Sequence, residues 1–134
     1  HLHPNCPARN WVEEFSQYDA GWLHYYQSHN HGDLLRANWI DLNSPARMST
    51  YAMAGLPMIM HNNAGHIVHH QRYLQSLGMA VAINDFGELG KLLNEKTKMQ
   101  KLHENTWRNR DIFCFDNYAD ILINFFREVA EDAR

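Results

Sequence analysis

The sequence has few cysteines, no excess of positive charge and no long apolar run. Its 134 residues include only two cysteines, Cys6 and Cys114. Two are too few for the disulfide framework of a small secreted domain, so a reducing cytosol is expected. The formal net charge of −3 excludes a protein that holds nucleic acid by a broadly basic face. No apolar run approaches the roughly 18 residues that indicate a membrane span.

Linkers, low-complexity tracts and internal repeats are also missing, and there is no P-loop, G-x-G-x-x-G or G-x-S-x-G motif. With 45% apolar residues the chain can bury a core, which excludes an intrinsically disordered protein. Residues 1–134 are therefore treated as a single domain. The sequence begins at His1 with neither Met nor a signal-peptide pattern, so we expect it to be a piece of a longer protein.

Short, continuously apolar segments alternate with amphipathic segments along the chain. Strands are predicted at 20–26, 57–61 and 79–83, after a strand end at 1–3. Helices are predicted at 9–18, 45–54, 66–77, 86–93, 97–110 and 118–129, and the segment 27–44 is predicted to be polar and irregular. Apolar strands separated by helices are typical of a parallel sheet with both faces covered. The predicted fold is α/β, with three layers (α/β/α).

Ligands of open parallel sheets bind where the carboxyl ends of the strands meet loops and helix N-termini. Two such loops stand out here: the one that leads into Ser44–Pro45 as a helix start, and Asn62–Gly65 after the second strand. Arg47, in the first helical turn, adds a positive charge that suits a phosphate. The alternative is that Ser44 and Pro45 only cap a helix and that Arg47 is a solvated charge.

The ten histidines raise the question of a metal site. His66 and His70 share one face if their segment is helical, as zinc ligands do. No H-E-x-x-H signature accompanies them, and we expect no metal. Most histidines are expected to lie in solvent, with His24 or His61 satisfied in or near the sheet.

Candidate acid–base groups are few. Asp19 precedes a strand and Asp41 lies in the long loop, where a carboxylate usually caps a helix or faces solvent. Cys114, between two phenylalanines, is interpreted as a buried packing residue and not as a nucleophile. No catalytic residue is assigned from these groups.

The segment from Asn43 to Met60, N-S-P-A-R-M-S-T-Y-A-M-A-G-L-P-M-I-M, resembles the donor side of GT-B glycosyltransferases. In that family a polar loop leads into a helix that ends in A-x-A-G-x-P before an apolar strand. The neighbouring segments follow in a similar order: Y-D-A-G at 18–21, the turn at 62–65, the next strand at 78–83 and the aromatic start of the last helix at 113–119. The resemblance spans essentially the whole chain.

The resemblance implies a Rossmann-like domain that is the C-terminal, donor-binding half of a larger enzyme, with the N-terminal part missing. It implies that Asn43, Ser44, Pro45 and Arg47 line the diphosphate and sugar, that Thr50 and Tyr51 lie near the ribose, and that Asn62, Asn63 and Gly65 border the same cleft. No metal or cofactor is implied, since the nucleotide-sugar is itself the donor substrate.

By the same resemblance, the parent enzyme transfers a sugar from a nucleotide-sugar to a glycan or lipid-linked acceptor in polysaccharide biosynthesis. It is expected in the cytoplasm, with peripheral membrane association as an option, and this chain alone is expected to be inactive. The family's common pair of glutamates, seven residues between them, is replaced by Leu42 and Thr50, and the P-x-R form is similar to a galactofuranosyl or capsule branch. The alternative is a non-catalytic Rossmann-like module that binds a ligand or regulates.

Overall fold

The computed structural model describes residues 6–132. In chain order the elements are α1 (Trp11–Phe15), β1 (Gly21–His24), α2 (Trp39–Leu42), α3 (Arg47–Met53), β2 (Met58–His61), α4 (His69–Ser76), β3 (Ala80–Ile83), α5 (Gly87–Asn94), α6 (Lys96–Asn109) and α7 (Ala119–Asp132). Short 3₁₀ turns lie at Ala8–Asn10, Leu34–Arg36, Arg110–Phe113 and Phe115–Tyr118. The strand end predicted at 1–3 falls outside the described residues.

The three strands form a parallel sheet in chain order, with β2 in the centre. Gly21 of β1 pairs with Met58 of β2, and Met58 pairs with Ala80 of β3, so the strands begin level with one another. The connections that parallel pairing requires contain α3 and α4. The prediction of three adjacent parallel strands is confirmed, although each observed strand is shorter than predicted.

Helices cover both faces of the sheet because successive strand residues point to opposite sides. Met58 and Met60 of β2 belong to one buried cluster, which contains Leu74 of α4. Ile59, between them, packs into a second cluster with Leu92 of α5. The chain therefore has a Rossmann-like α/β/α fold, as predicted.

Two helices that pack on the sheet end at glycines, as predicted. Gly55 after α3 and Gly78 after α4 have φ values of +69° and +65°, a conformation that only glycine adopts readily. Beyond Gly55, the N–H of Leu56 donates to the carbonyl of Tyr51 at 2.9 Å. This bond reverses the chain directly into β2.

The start of α3 differs from the prediction. The helix begins at Arg47, with Ala46 before it, and no side chain caps it. The carbonyl of Pro45 accepts the N–H of Met48 at 2.9 Å, and Ser44 is exposed. The prediction that Ser44 caps the helix is therefore wrong. The N–H of Met48, which a capping side chain could accept, donates to the carbonyl of Pro45 instead.

The segment 27–44 is more ordered than predicted. It contains the 3₁₀ turn Leu34–Arg36 and the short helix α2. Asp33 caps the first, and Asn38 with Asp41 forms a reciprocal capping box at the second. Short polar side chains that bond their own backbone explain how such a polar segment holds regular turns.

The last helix, α7, forms where it was predicted, but its apolar face does not pack onto the core. Ile121, Phe125, Phe126 and Val129 are 50–66% exposed. Cys114, in the turn before α7, was predicted to be buried but is only half-buried. Hydrophobic spacing predicts that a helix forms, but it does not specify what the helix packs against.

Replacing Gly55 by Ala should destabilise the fold by about 1–3 kcal/mol. The φ of +69° strains an L side chain, and the new Cβ would lie 3.0 Å from Cε3 of Trp107. Gly90→Ala is the matched control, because Gly90 lies inside α5 and nothing is within 4 Å of a new Cβ there. That change should be neutral or stabilising by up to about 1 kcal/mol. Urea unfolding of both variants measures the difference, and equal destabilisation would contradict it.

Candidate functional site

The carboxyl ends of all three strands lie at one edge of the sheet. There Asn63, in the loop after β2, forms hydrogen bonds with the loop after β1. Its Oδ1 accepts the N–H of Ser28 at 2.7 Å, and its Nδ2 donates to the carbonyl of Tyr26 at 3.1 Å. Its own N–H donates to Oε1 of Gln71 at 3.0 Å. Asn63 is 2% exposed. The side chain predicted to border a ligand cleft is thus occupied in holding the loops together.

Asn30 makes a second link of the same kind, which the sequence analysis missed. Its Nδ2 donates to the carbonyl of Ile67 at 2.8 Å, and its Oδ1 accepts the N–H groups of Ile67 and Gly32 at 2.9 Å and 3.0 Å. The side chain is 1% exposed. An Asn two residues before a glycine is a signal for an Asx turn, but the long-range half of this link has no sequence signal.

Arg47 is fixed at the end of β1. Its Nε donates to the carbonyl of Leu23 at 2.9 Å. This bond holds the guanidinium against the carboxyl-terminal half of the strand. Within residues 6–132 no carboxylate forms an ion pair with it. The remaining guanidinium N–H groups can therefore serve an anion, with the planar geometry that suits phosphate oxygens.

Arg47 and Thr50 line one small cavity together. Its volume is about 230 Å³, and Trp11, Phe15 and Ala46 complete the lining. The two side chains are one helical turn apart, which places them on the same face of α3. The structure thus brings together two of the predicted donor-binding residues, beside an apolar wall from α1.

Tyr51 lies elsewhere. Its ring packs edge-on against Phe15, with centroids 5.3 Å apart. It also lies so close to Gly21 that a Cβ there would be 2.7 Å from the ring. Gly21 is the first residue of β1, so Tyr51 packs at the amino end of the strand and not at the ligand-binding edge. Tyr51 also lines a cavity of about 480 Å³, which is separate from the one that Arg47 and Thr50 line.

Asn62 and Gly65 line a different cavity of about 240 Å³, together with Asn63, His66 and Arg72 among others. Neither Arg47 nor Thr50 lines it. The Nδ2 of Asn62 donates to Oδ1 of Asn84 at 2.9 Å. The single cleft predicted for all of these residues is therefore divided into two cavities, one beside α3 and one beside α4.

Two histidines are buried between the sheet and α4. The rings of His24 and His70 meet edge to face, with centroids 4.6 Å apart. Nδ1 of His70 lies 3.0 Å from the carbonyl of Asn43, and because a carbonyl only accepts, that nitrogen carries the hydrogen. Among the described residues, neither ring nitrogen of His24 has a hydrogen-bond partner. Of the two histidines expected to be satisfied near the sheet, His24 is not, and Nδ1 of His61 likewise has no hydrogen-bond partner among the described residues.

Burial lowers the pKa of His24 to about 4, and the neighbouring His70, His61 and Arg47 act in the same direction. Burial also lowers the pKa of His70. The ring of Tyr26 lies 4.4 Å from that of His24, and burial together with Asp41 raises its pKa to about 12. These groups are neutral at pH 7, so Arg47 supplies the positive charge at this end of β1.

Asp41 is a capping residue and not an exposed acid. Its Oδ2 accepts the N–H of Asn38 at 3.0 Å, and the residue is 1% exposed. Burial by itself raises the pKa of Asp41, but the Asn38 N–H and the polar side chains of Ser28 and Asn30 hold it below its usual value. The carboxylate stabilises α2 and does not reach a ligand cavity described above.

The histidines do not assemble a metal site in the part of the chain that the structure describes. No three His, Cys, Asp or Glu side chains converge there. His66 precedes α4, and its Nδ1 accepts the N–H of His31 at 3.1 Å. A helix was predicted from residue 66, but α4 begins only at His69, so the condition under which His66 and His70 would share a helical face is not met.

Comparison with protein-family models, with curated proteins and with solved structures finds no match to this chain. The resemblance to GT-B glycosyltransferases therefore rests on the sequence pattern at 18–21, 43–65, 78–83 and 113–119. None of the helices in the described residues has the length and apolar character that crossing a membrane requires.

The neutral state of His24 predicts that the fold loses stability as the pH falls from about 6.5 toward about 4. In this window the unfolded chain binds a proton that the folded chain excludes, so the free energy of unfolding is highest above pH 6.5. The loss attributable to His24 is up to about 3 kcal/mol.

His24→Phe keeps a ring in the buried site and should flatten the dependence. His29→Gln, at an exposed histidine, is the control and should leave the difference between the two pH values as it is in the wild type. Urea unfolding at about pH 5 and about pH 7.5 checks the sign. Identical pH dependence in the wild type and His24→Phe would show that this ring does not carry it.

Proposed function

We propose that this chain is the donor-binding domain of a glycosyltransferase, and that Arg47 binds the diphosphate of a nucleotide-sugar. The observation that carries the proposal is the position of Arg47. Its guanidinium is fixed to the end of β1 by the bond to Leu23 and pairs with no described carboxylate. Parallel sheets bind ligands at this edge, and the Asn43–Met60 segment resembles the GT-B donor side.

The geometry supports a site with fewer residues than the resemblance implies. Arg47 and Thr50 share a cavity, and the exposed Ser44 lies just before α3. The carbonyl of Asn43 accepts a hydrogen bond from His70. This bond fixes the segment that leads into α3. Asn63 and Tyr51 are left out of the site, because their side chains are used in packing and hydrogen bonding within the fold.

In this proposal, Arg47 stabilises the negative charge that develops on the departing nucleotide diphosphate. Two guanidinium N–H groups can bind two phosphate oxygens at once, which a lysine cannot do. The acceptor site and the base that activates the acceptor would be supplied by a second domain of the parent enzyme. That enzyme would act in polysaccharide biosynthesis in the cytoplasm, on a glycan or lipid-linked acceptor.

A non-catalytic ligand-binding or regulatory module is the second candidate. The observation that favours it is the occupation of the usual glutamate positions by Leu42 and Thr50, neither of which can contact a ribose as a carboxylate. The two candidates differ in whether the parent protein contains a second Rossmann-like domain. They also differ in whether that protein releases free nucleotide diphosphate from a nucleotide-sugar.

Arg47→Ala should weaken the binding of uridine or guanosine diphosphate by roughly ten- to a hundredfold, since a charged hydrogen bond contributes about 1.5–3 kcal/mol. Arg47→Lys should recover only part of the loss. Arg72→Ala is the matched control, because Arg72 also makes one bond to a main-chain carbonyl but lines the other cavity. Titration calorimetry gives the dissociation constants. Equal affinity of the wild type and Arg47→Ala would show that the diphosphate binds elsewhere.

A further inference from the structure

Aromatic rings form a stack on the sheet face opposite α3, at the carboxyl end of the strands. Phe86 stacks on Trp22 and on Tyr25, with centroids 5.2 Å and 4.9 Å apart and interplanar angles of 29° and 17°. His61 of β2 lies 4.9 Å from Tyr25. We call Trp22, Tyr25, His61 and Phe86 the aromatic shelf. It extends from β1 to the loop after β3.

The shelf is exposed although it is aromatic. Tyr25 is 53% and Phe86 is 57% exposed. Trp22 is half-buried and packs with the cluster of Ile59 and Leu92, so the inner edge of the shelf is anchored in the core. The half-exposed rings of Tyr25 and Phe86 therefore offer an anchored apolar surface to solvent.

The loop that carries Phe86 is held in place by hydrogen bonds on both sides. Oδ1 of Asp85 accepts the N–H groups of Gly87 and Glu88 at 2.7 Å and 3.2 Å. The carboxylate of Glu88 accepts the N–H and the Nδ2 of Asn84, both at 2.9 Å. The ring of Phe86 is thus positioned before any ligand arrives, which reduces the entropy lost on binding.

Phe86 is stacked on its neighbours and still 57% exposed, so its ring can stack with a planar heteroaromatic ring. Nucleobases stack on such surfaces whatever their identity, because every base has a π-face. The polar side chains at the rim, Asn62, Asn84 and Glu88, are bonded to one another. Few of their hydrogen-bonding groups are free to recognise the edge of a base. The surface should therefore accept purines and pyrimidines alike.

The shelf lies close to the site at Arg47, because β1 and the residue that follows it contribute to both. Arg47 donates to the carbonyl of Leu23, and Tyr25 follows two residues later, at most about 7 Å along the chain. We propose that the aromatic shelf is the base subsite of a nucleotide whose phosphates bind Arg47. The nucleotide passes over the end of β1 from one face of the sheet to the other. This inference rests on the proposed function for the position of the phosphates.

The experiment compares ligands that contain the base with one that lacks it. Uridine diphosphate, guanosine diphosphate and inorganic pyrophosphate are titrated into the whole chain by calorimetry. Phe86→Ala and Phe86→Leu should each weaken both nucleotides by about five- to a hundredfold and leave pyrophosphate unchanged. Phe86→Tyr should keep wild-type affinity, because it preserves the ring. Phe115→Ala, at another exposed phenylalanine (65%), is the control and should change nothing.

The outcomes separate this inference from the proposed function. If Phe86→Ala and Phe86→Leu leave nucleotide affinity intact while Arg47→Ala reduces it, the shelf is not the base subsite and the proposed function stands. If nucleotides depend on Phe86 but neither they nor pyrophosphate depend on Arg47, the shelf binds bases and the phosphate site fails. Absence of nucleotide binding, or self-association of the chain that Phe86→Ala abolishes, overturns the inference. Urea midpoints within error of the wild type establish that the variants are folded.

Discussion

The hydrogen bonds that hold β2 between β1 and β3 fix the positions of the other elements. β2 is paired on both edges, and its first three residues, Met58 to Met60, are buried alternately against the two helical layers. A shift of one residue would exchange Met58 and Met60 with Ile59 and place each in the wrong cluster. The carboxyl ends of the three strands, and therefore both candidate subsites, depend on this register.

Polar side chains maintain the loops at that edge, where regular pairing ends. Asn30 and Asn63 bond main-chain groups more than thirty residues away in sequence, which satisfies polar groups that would otherwise be buried without partners. The same role removes their amides from ligand binding. Much of the polarity that suggests a binding site in the sequence is thus used to build the loops.

Charge at this edge follows from unequal burial. His24 of β1 and His70 of α4 are kept neutral by burial, while Arg47 is exposed and retains its charge. An anion approaching β1 therefore encounters one fixed guanidinium. On the other face of the sheet, the aromatic shelf presents apolar rings, and the nearby carboxylates of Asp85 and Glu88 accept N–H groups of their own loop. The two faces therefore suit different parts of one ligand.

The sequence by itself determined the local elements. Continuous apolar runs specified the three strands, glycines at 55 and 78 specified where α3 and α4 end, and the 3.6-residue spacing specified α7, because these signals act over a few neighbouring residues. The parallel order followed from their alternation. Only the tertiary structure decided that Tyr51 packs against Gly21, that Asn63 is consumed in a link between loops, and that Phe86 stacks on Tyr25. Those relations join residues about thirty to sixty positions apart, and such proximity depends on the strand register and helix packing of the whole fold.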